Sequence, residues 1–445
     1  MASSRKSNLA ESVAAHFAPL LPRHSHILVG LSGGMDSVVL LHLLHILAPR
    51  FEWRLSALHV HHGISPNADA WANFCADLCA RKGIPLHIER VDIAPLRDEH
   101  GIEAAARKLR HAAFARQPCD YVALAHHADD QAETLLLQLL RGAGVKGVAA
   151  MPAVKSATPH ARAILRPLLD VSRDELSEYA QQQGLRWVED ESNADDAYPR
   201  NFLRHRLLPL LEQRFPAYRD TLIRSAQHFA EAGDLLDELA RQDAQDSLTD
   251  GPLDVSLLRA LSHSRARNLL RYYLHMRNTP MPQAVQLDEM LHQLCDARDD
   301  AAVCVEFGGW QLRRYRDKVH VFSALAAFDR NLVLPWCGDA ELPWPALERT
   351  ISFRSVQGQG VSLAKLQRKA VTLRLRNGGE SLRPQRNAAT RSLKNLLQER
   401  HVPPWQRERL PLLYSGAELV SVIGVAIQAD YQAQQGEAGL LVSFE

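Results

Sequence analysis

The chain reads as an α/β protein: a parallel, doubly wound sheet, then a mainly helical middle domain, then a small α+β C-terminal domain. Three observations lead there. Short β-type runs alternate with helical segments over residues 26–140, long amphipathic helices fill 217–297, and strand-like runs return in the last hundred residues. A length of 445 residues allows two to four domains, each with its own core, and 46% hydrophobic with 23% charged residues is the composition of an ordinary globular protein.

The first β-type run, 26–31, leads into Ser32-Gly33-Gly34-Met35-Asp36-Ser37 and then into an apolar helix beginning at Val38. That order puts backbone N–H groups at a helix N-terminus, where an anion binds. The glycines let the backbone approach a ligand closely, the two serines add hydroxyl donors, and the helix dipole favours negative charge. Residues 32–37 are therefore expected to cradle a phosphate. Asp36 would repel a polyphosphate unless a cation lay between them, which implies Mg²⁺. The Gly-x-x-x-x-Gly-Lys-Ser/Thr spacing is absent, so no Walker lysine is expected.

Further β-type runs at 55–61, 85–91 and 121–125 alternate with helical patterns at 68–81, 102–117 and 129–140, as in βαβ units. Ligands bind beyond the carboxyl ends of such strands, so the loops after Leu31, Val60 and Ala125 should converge. Residues 163–167 predict another strand, and Ser172 with Glu175 is a capping-box signature for a helix that Gly184 stops. Pro209 should break or kink the helix that follows Tyr198. The first domain is placed at 1–216 and the helical domain at 217–330, with helices over 222–240 and 257–276 and short strands at 303–307, 311–315 and 319–322. Pro335, Gly338, Pro343 and Pro345 mark 331–348 as a linker, and 349–445 mixes strands with one helix over 392–400.

Net charge is only +1, but residues 365–410 hold twelve Lys or Arg against three acids, a local +9 in an otherwise acidic chain. Such density, including Arg383, Arg386, Arg391, Lys394 and Arg407, is the footprint of a polyanion such as RNA or DNA. The six cysteines form no Cys-x-x-Cys pair, which argues against a zinc ribbon or an iron–sulfur site and for core thiols in a reducing compartment. No leader-like apolar run and no membrane span is read, which places the protein in the cytoplasm.

His126-His127-Ala128-Asp129-Asp130-Gln131-Ala132-Glu133 sits where the fourth run ends and its helix begins. His126 and Asp130 can share a helical face, as can Asp129 and Glu133. Acids in a first helical turn are ordinary, but two histidines and two carboxylates at this mouth point to a metal and base cluster beside the nucleotide. Glu103, Arg107 and Arg110 share another face, and Arg200 and Arg204 form a second basic pair; phosphate binding and a plain surface ion pair are both open for these. Of His59, His61 and His62, the first two face one way and His62 the other, with one of the three lining the nucleotide pocket. His42, His45, Cys75 and Cys79 read as interior residues.

These motifs resemble a known family. Residues 32–37 look like the PP-loop of the N-type ATP pyrophosphatases, which share an adenine nucleotide α-hydrolase-like fold, and within that superfamily the chain resembles the bacterial tRNA(Ile)-lysidine synthetases. The likeness rests on Leu58-His59-Val60-His61-His62-Gly63, Glu103-Ala104-Ala105-Ala106-Arg107, the His126 to Thr134 stretch, Leu140-Arg141-Gly142-Ala143-Gly144, Arg166-Pro167-Leu168, Ser192-Asn193, Arg200-Asn201 with Arg204, Leu393-Lys394 and Pro403-Pro404-Trp405-Gln406-Arg407. His61 stands where the family usually has Asn and Glu191 where it usually has Pro; neither change removes a charged catalytic position.

The resemblance implies ATP-dependent ligation of L-lysine to the wobble cytidine of the CAU-anticodon isoleucine tRNA, through an adenylated cytidine, with release of AMP and pyrophosphate. It assigns ATP to Ser32, Gly33, Gly34, Met35, Asp36 and Ser37, and Mg²⁺ to Asp36 and Asp130. His126 would assist near the α-phosphate, and Arg107 and Arg204 would stabilise charge or hold the adenylated base. Carboxylates near Asp130 would hold the lysine ammonium; Arg200 and the five basic C-terminal residues would contact tRNA. The oligomeric state is left open, a homodimer being one option. Two rivals stand beside this: a PP-loop tRNA thiolase, which needs a sulfur-handling cysteine or cluster ligands, and a nucleotide-gated RNA-binding protein without catalysis.

Overall fold

The structure, a computed structural model, describes residues 9–157, 161–191, 195–245, 251–298, 301–324, 328–387 and 389–444, with the side chains at 98–100 and 103 excepted. The chain divides into two compact units, Met1–Glu238 and Leu239–Glu445.

In the first unit, β1 (His26–Gly30), β2 (Arg54–His61), β3 (Leu86–Arg90), β4 (Tyr121–Ala123), β5 (Val154–Lys155) and β6 (Ala163–Leu165) form one sheet in the order β3-β2-β1-β4-β6-β5. Every pairing is parallel except β5 with β6. The helices are α1 (Leu9–Phe17), α2 (Met35–Phe51), α3 (Ala68–Lys82), α4 (Ala94–His100), α5 (Ile102–Arg116), α6 (Ala128–Leu140), α7 (Val145–Val148), α8 (Arg173–Gln182), α9 (Pro199–Phe202), α10 (Leu208–Arg214) and α11 (Tyr218–Ala244), whose residues after Glu238 belong to the second unit.

β1 is apolar on both faces because both are covered. Ile27, Val29 and Leu31 pack with α1, α2, α3 and α8, through residues such as Val38, Leu41, Cys75, Cys79 and Leu176. Leu28 points the other way and joins Leu58, Val122, Leu124 and Ile164 beneath Ala113 and Phe114 of α5. Strand order turns around between β1 and β4, since β2 and β3 lie on one side of β1 and β4 and β6 on the other. The loops leaving β1 and β4 therefore open into one crevice.

The helix predicted after Tyr198 is present but broken in an unexpected way. α9 passes into a wide π-type turn, Leu203–Leu207, and Pro209 then falls in the first turn of α10. A proline there gives up no intrahelical bond, so the irregularity precedes the residue that requires it.

The second unit starts with β7 (Leu253–Asp254), α12 (Val255–Ala260), α13 (His263–Met276) and α14 (Ala284–Asp296), packed on a sheet of β7 with β8 (Cys304–Phe307), β9 (Trp310–Tyr315) and β10 (Lys318–Ser323). The single helix expected over 257–276 is two, because Leu261 and Ser262 adopt extended backbone between α12 and α13.

Two antiparallel sheets follow, packed over Trp344, Ile351, Leu373, Leu413 and Val420. One contains β11 (Val333–Pro335), β15 (Val371–Arg374), β18 (Leu412–Ser415), β19 (Glu418–Val422) and β20 (Ala426–Ile427), in the order β11-β15-β18-β19-β20. The other runs β12 (Glu341–Trp344), β13 (Arg349–Gln357), β21 (Ala438–Phe444), β14 (Val361–Ser362). Short elements, α15 (Leu363–Leu366), the β16 (Ser381–Leu382) and β17 (Arg391–Ser392) pair, α16 (Leu393–Glu399) and α17 (Pro404–Arg407), complete the unit. The segment 331–348, expected as a linker, instead supplies β11 and β12, each at the edge of its sheet. Pro335 and Pro343 fit there because an edge strand has one side without a ladder partner. Among the described residues no helix is long and apolar enough to cross a membrane.

If the sheet of the first unit is its stability core, Leu165→Ala, at a side chain 1% exposed, lowers the unfolding free energy of that unit by about 3 kcal/mol in urea. Leu140→Ala, at a side chain 74% exposed, should stay within about 0.5 kcal/mol of wild type.

Candidate active site at the sheet crevice

Gly33 carries φ +93°, and a Cβ there would lie 2.9 Å from Val188 Cγ2 and 3.2 Å from Cys75 Sγ, so only glycine fits. The backbone N–H of Val188 donates to the Gly33 carbonyl at 3.0 Å and fixes the loop from outside. Inside it, Ser37 Oγ donates to the Gly34 carbonyl at 2.9 Å and accepts from the Gly33 N–H at 3.1 Å, while Ser32 Oγ accepts from the Gly34 N–H at 3.3 Å. Ser37 is thus a buried brace, with Ser32 more open, and α2 starts at Met35 immediately after Gly34. His59 Nδ1 donates to the Leu31 carbonyl at 2.9 Å and supports the strand end.

Asp36 extends from the first turn of α2 across the crevice. Its Oδ2 lies 3.6 Å from Nε2 of His127, and the same nitrogen is 3.5 Å from Asp130 Oδ2. The other ring nitrogen of His127 is 3.5 Å from Asp129 Oδ2. His127, not His126, is therefore the histidine among the carboxylates. The sequence expectation assumed an early helix start, but α6 begins at Ala128, with His127 capping it and its backbone N–H donating to Asp130 Oδ2 at 3.1 Å.

Burial works against charge on His127, but the Asp129, Asp36 and Asp130 carboxylates outweigh it and raise its pKa to about 10. Asp129 is pushed up by burial yet carried down to about 2 by His127, the Arg173 N–H and Arg219. Asp130 lies below the usual carboxylate range, with His127 and Arg200 overcoming its burial. His126 behaves oppositely: burial, reinforced by Arg166, Arg200 and Arg110 against the pull of Asp130, lowers it to about 3. Adjacent histidines thus stand in opposite protonation states, the kind of separation that assigns distinct chemical tasks.

Glu133 is fully buried and does not pair with Asp129 as the helical spacing suggested. Its two oxygens accept from Arg200 Nε at 2.7 Å and from Arg204 Nε at 2.7 Å and Nη2 at 3.0 Å. Both guanidinium groups also reach Asp130 Oδ1, at 3.5 and 3.4 Å. Asp129 turns away, bonding the Arg173 N–H at 2.8 Å and pairing with Arg219 at 2.7 Å. Asp36, Asp130, Arg200 and Arg204 are therefore brought together, with His127 and Glu133, which the sequence reading placed in the stretch without singling either out as a site residue.

Arg107 lies apart from that cluster, exposed on α5. Ser192 and Asn193, and the side chain of Glu103, lie outside what the structure describes. The two departures from the family pattern have local partners: His61 Nε2 is 3.3 Å from Asp69 Oδ1 and from Arg90 Nη1, and Glu191 accepts from Ser65 at 2.5 Å and Asn67 at 3.3 Å. In the second unit several basic residues are engaged internally. Arg383 pairs with Asp430 at 2.7 Å, Arg391 with Glu399 at 2.6 Å, and Arg407 donates to the Val402 carbonyl at 2.7 Å and to Tyr315 at 3.0 Å. Arg386 and Lys394 are exposed.

Comparison with known proteins gives three family matches: a PP-loop domain over residues 5–211, a TilS substrate binding domain over 253–320, and a TilS substrate C-terminal domain over 371–444. The chain is 44% identical to the tRNA(Ile)-lysidine synthase of Nitrosomonas europaea over 94% of its own length and 91% of that protein. It belongs to the tRNA(Ile)-lysidine synthase family. The lysidine synthase of Coxiella burnetii agrees, at 39% identity over 95% of this chain and 94% of that one. The U34-tRNA thiolase of Methanococcus maripaludis is similar to half of the chain (50%, and 78% of its own) at 20% identity and a TM-score of 0.44, a likeness too slight to bear on function.

The His127 charge makes a signed prediction. A folded-state pKa near 10 against 6.5 unfolded contributes stability that is complete below pH 6.5 and is lost as pH rises through 10. Urea unfolding of the metal-free wild type should show that alkaline descent, and His127→Asn should flatten it.

Proposed function

We infer that the chain ligates L-lysine to the wobble cytidine of the isoleucine tRNA bearing the CAU anticodon, through an adenylated cytidine, with AMP and pyrophosphate as products. The observation that carries this reading is the meeting of Asp36 and Asp130 at a phosphate-loop helix N-terminus, in a chain of the lysidine synthase family. The cytosine carbonyl is a poor electrophile and its oxygen a poor leaving group. Transfer of AMP to that oxygen makes displacement by the lysine ε-amine feasible, and such transfers depend mainly on positioning and charge neutralisation.

The N–H groups of residues 32–37 and the α2 dipole hold the pyrophosphate portion of ATP. Asp36 and Asp130 hold Mg²⁺, which supplies positive charge against the phosphate oxygens. The residues fit this: Asp36 Oδ1 is buried without a hydrogen-bond partner. Among the described residues no group of three or more His, Cys, Asp or Glu is arranged to hold a metal, but Mg²⁺ is commonly bound by one or two carboxylates plus substrate phosphates. Neutral His126 donates an N–H toward the α-phosphate. Glu133 keeps Arg204 and Arg200 rigid beside the reacting centre, where Arg204 offsets developing charge, and Arg107, apart on α5, holds the adenylated base. Carboxylates beside Asp130 hold the lysine ammonium. Arg200, Arg383, Arg386, Arg391, Lys394 and Arg407 serve tRNA binding, with Arg386 and Lys394 the most accessible.

Thiolation is disfavoured by the cysteines near the crevice, because burial pushes the Cys75 and Cys79 thiols up to about 12 and about 11, leaving little thiolate. All six cysteines are free, which suits the cytoplasm.

Incubation with labelled lysine, ATP, Mg²⁺ and unfractionated tRNA, followed by nucleoside analysis, tests the reading. Labelled lysine should appear on one cytidine, and Asp36→Ala should cut its formation by about a thousandfold while tRNA binding persists. Wild-type enzyme that leaves every cytidine unlabelled would refute the assignment.

A further inference from the structure

The proposed chemistry leaves Pro403-Pro404-Trp405-Gln406-Arg407 without a task, Arg407 apart. Pro403 precedes α17 and Pro404 opens it, where a proline gives up no intrahelical bond and its fixed φ sets the direction of the chain. Trp405, half-buried, thereby meets the β9–β10 hairpin. Tyr315 and His320 lie edge-on to its ring, with centroids 6.1 and 5.3 Å away, and Phe322 is tilted against it at 5.6 Å. The Arg313 guanidinium stands 5.4 Å from the ring centre. Contacts of these kinds attract beyond the area they bury. Arg407 adds a polar tie, donating to the Tyr315 hydroxyl at 3.0 Å and to the Val402 carbonyl at 2.7 Å.

The backbone is strained on both sides of this junction. Arg316 and Asp317, the two residues between β9 and β10, carry φ +48° and +55°, and His401, just past α16, carries φ +59°. Glycine or asparagine would adopt these angles at less cost. The side chains account for the residues present. Arg316 donates to the His401 ring and, through Nη2, to the Gln398 carbonyl at 3.3 Å, in the last turn of α16 where the helix dipole favours a cation. Asp317 Oδ1 accepts from Arg314 Nη2 at 2.8 Å and holds the hairpin turn from its own side. The helix gripped in this way begins at Leu393, is capped by Ser392, and carries Lys394 in its first turn with Arg391 just before it.

We propose that Trp405 is a positioning residue for tRNA: seated on the β9–β10 hairpin, it fixes α16, and with it Arg391 and Lys394, relative to the sheet of β7 to β10. Under the tRNA-ligase reading, on which this rests, the two parts of the second unit then meet the RNA as one rigid surface, and the cost of ordering them is met on folding rather than on binding. Arg407 acts through the same seat, since its donors are turned to Val402 and Tyr315. The alternative task for an aromatic side chain among arginines is stacking on an unpaired base. Three rings and a guanidinium already surround Trp405, which favours the seat.

A double-mutant cycle on tRNA affinity separates the two. Full-length wild type, Trp405→Ala, Phe322→Ala, the double variant and Trp405→Phe are titrated with unmodified isoleucine tRNA transcript and assayed for steady-state lysidine formation. Seating predicts a loss of about tenfold in tRNA affinity for each alanine variant, a double variant no weaker than either, and recovery to within about threefold in Trp405→Phe. The loss appears in KM for tRNA, with kcat and the KM for ATP and for lysine as in wild type; partial unfolding would lower kcat instead. Should Trp405→Ala not fold, Tyr315→Phe carries the test: it keeps the ring, removes the acceptor of Arg407, and should weaken tRNA binding about threefold. Wild-type tRNA affinity in the folded variants, or losses that add in the double variant as two separate RNA contacts would, overturns the proposal. Wild type that binds tRNA but forms no lysidine would instead sink the ligase reading and leave the affinity cycle standing.

Discussion

A buried imidazolium sits between the two helices that build the crevice, and its charge is the constraint on which the rest of the site depends. Asp36 comes from α2 and Asp130 from α6, each within 3.6 Å of the same ring nitrogen of His127. Two carboxylates this close would repel one another and turn to solvent without a cation between them. The sheet makes the meeting possible: β1 and β4 are neighbours at the point where strand order turns around, so their following helices start side by side.

A second buried charge extends that arrangement. Glu133, one turn along α6 from Asp130, anchors Arg200 and Arg204 and so ties the 199–214 helical segment to the same helix. Stability gained from such a group is small, because desolvation offsets most of the attraction. Its value is positional: two guanidinium groups are held at fixed places beside Asp130, and reorganisation during a reaction is reduced. The wide turn at Leu203–Leu207 lies within this segment and holds Arg204 itself.

Much of the first sheet was legible because periodicity and glycine placement report backbone geometry directly. The 32–37 loop followed a continuous apolar strand, and the structure gives Gly33 the left-handed backbone that only glycine adopts freely. Side-chain partnerships across elements were less legible. Helical spacing paired Glu133 with Asp129, yet each found an arginine more than sixty residues away in sequence, which no local pattern encodes. The choice between His126 and His127 turned on where α6 begins, and one residue of difference sends the two rings to opposite faces of the sheet. The prolines at 335 and 343 misled because edge strands and linkers tolerate proline for the same reason, a missing ladder partner.

On the proposed reading, these features give the family assignment a physical content: a charge-balanced crevice that would accept ATP and direct its α-phosphoryl group to an RNA base. The most direct measurement omits the amino acid. Enzyme, Mg²⁺, unmodified isoleucine tRNA transcript and ATP labelled at the α-phosphate are mixed without lysine and quenched. The account predicts label joined to the RNA, released as AMP when lysine is then added. Label that never joins the RNA, with lysine nonetheless transferred to the tRNA, would contradict the adenylated intermediate and the role given to the crevice.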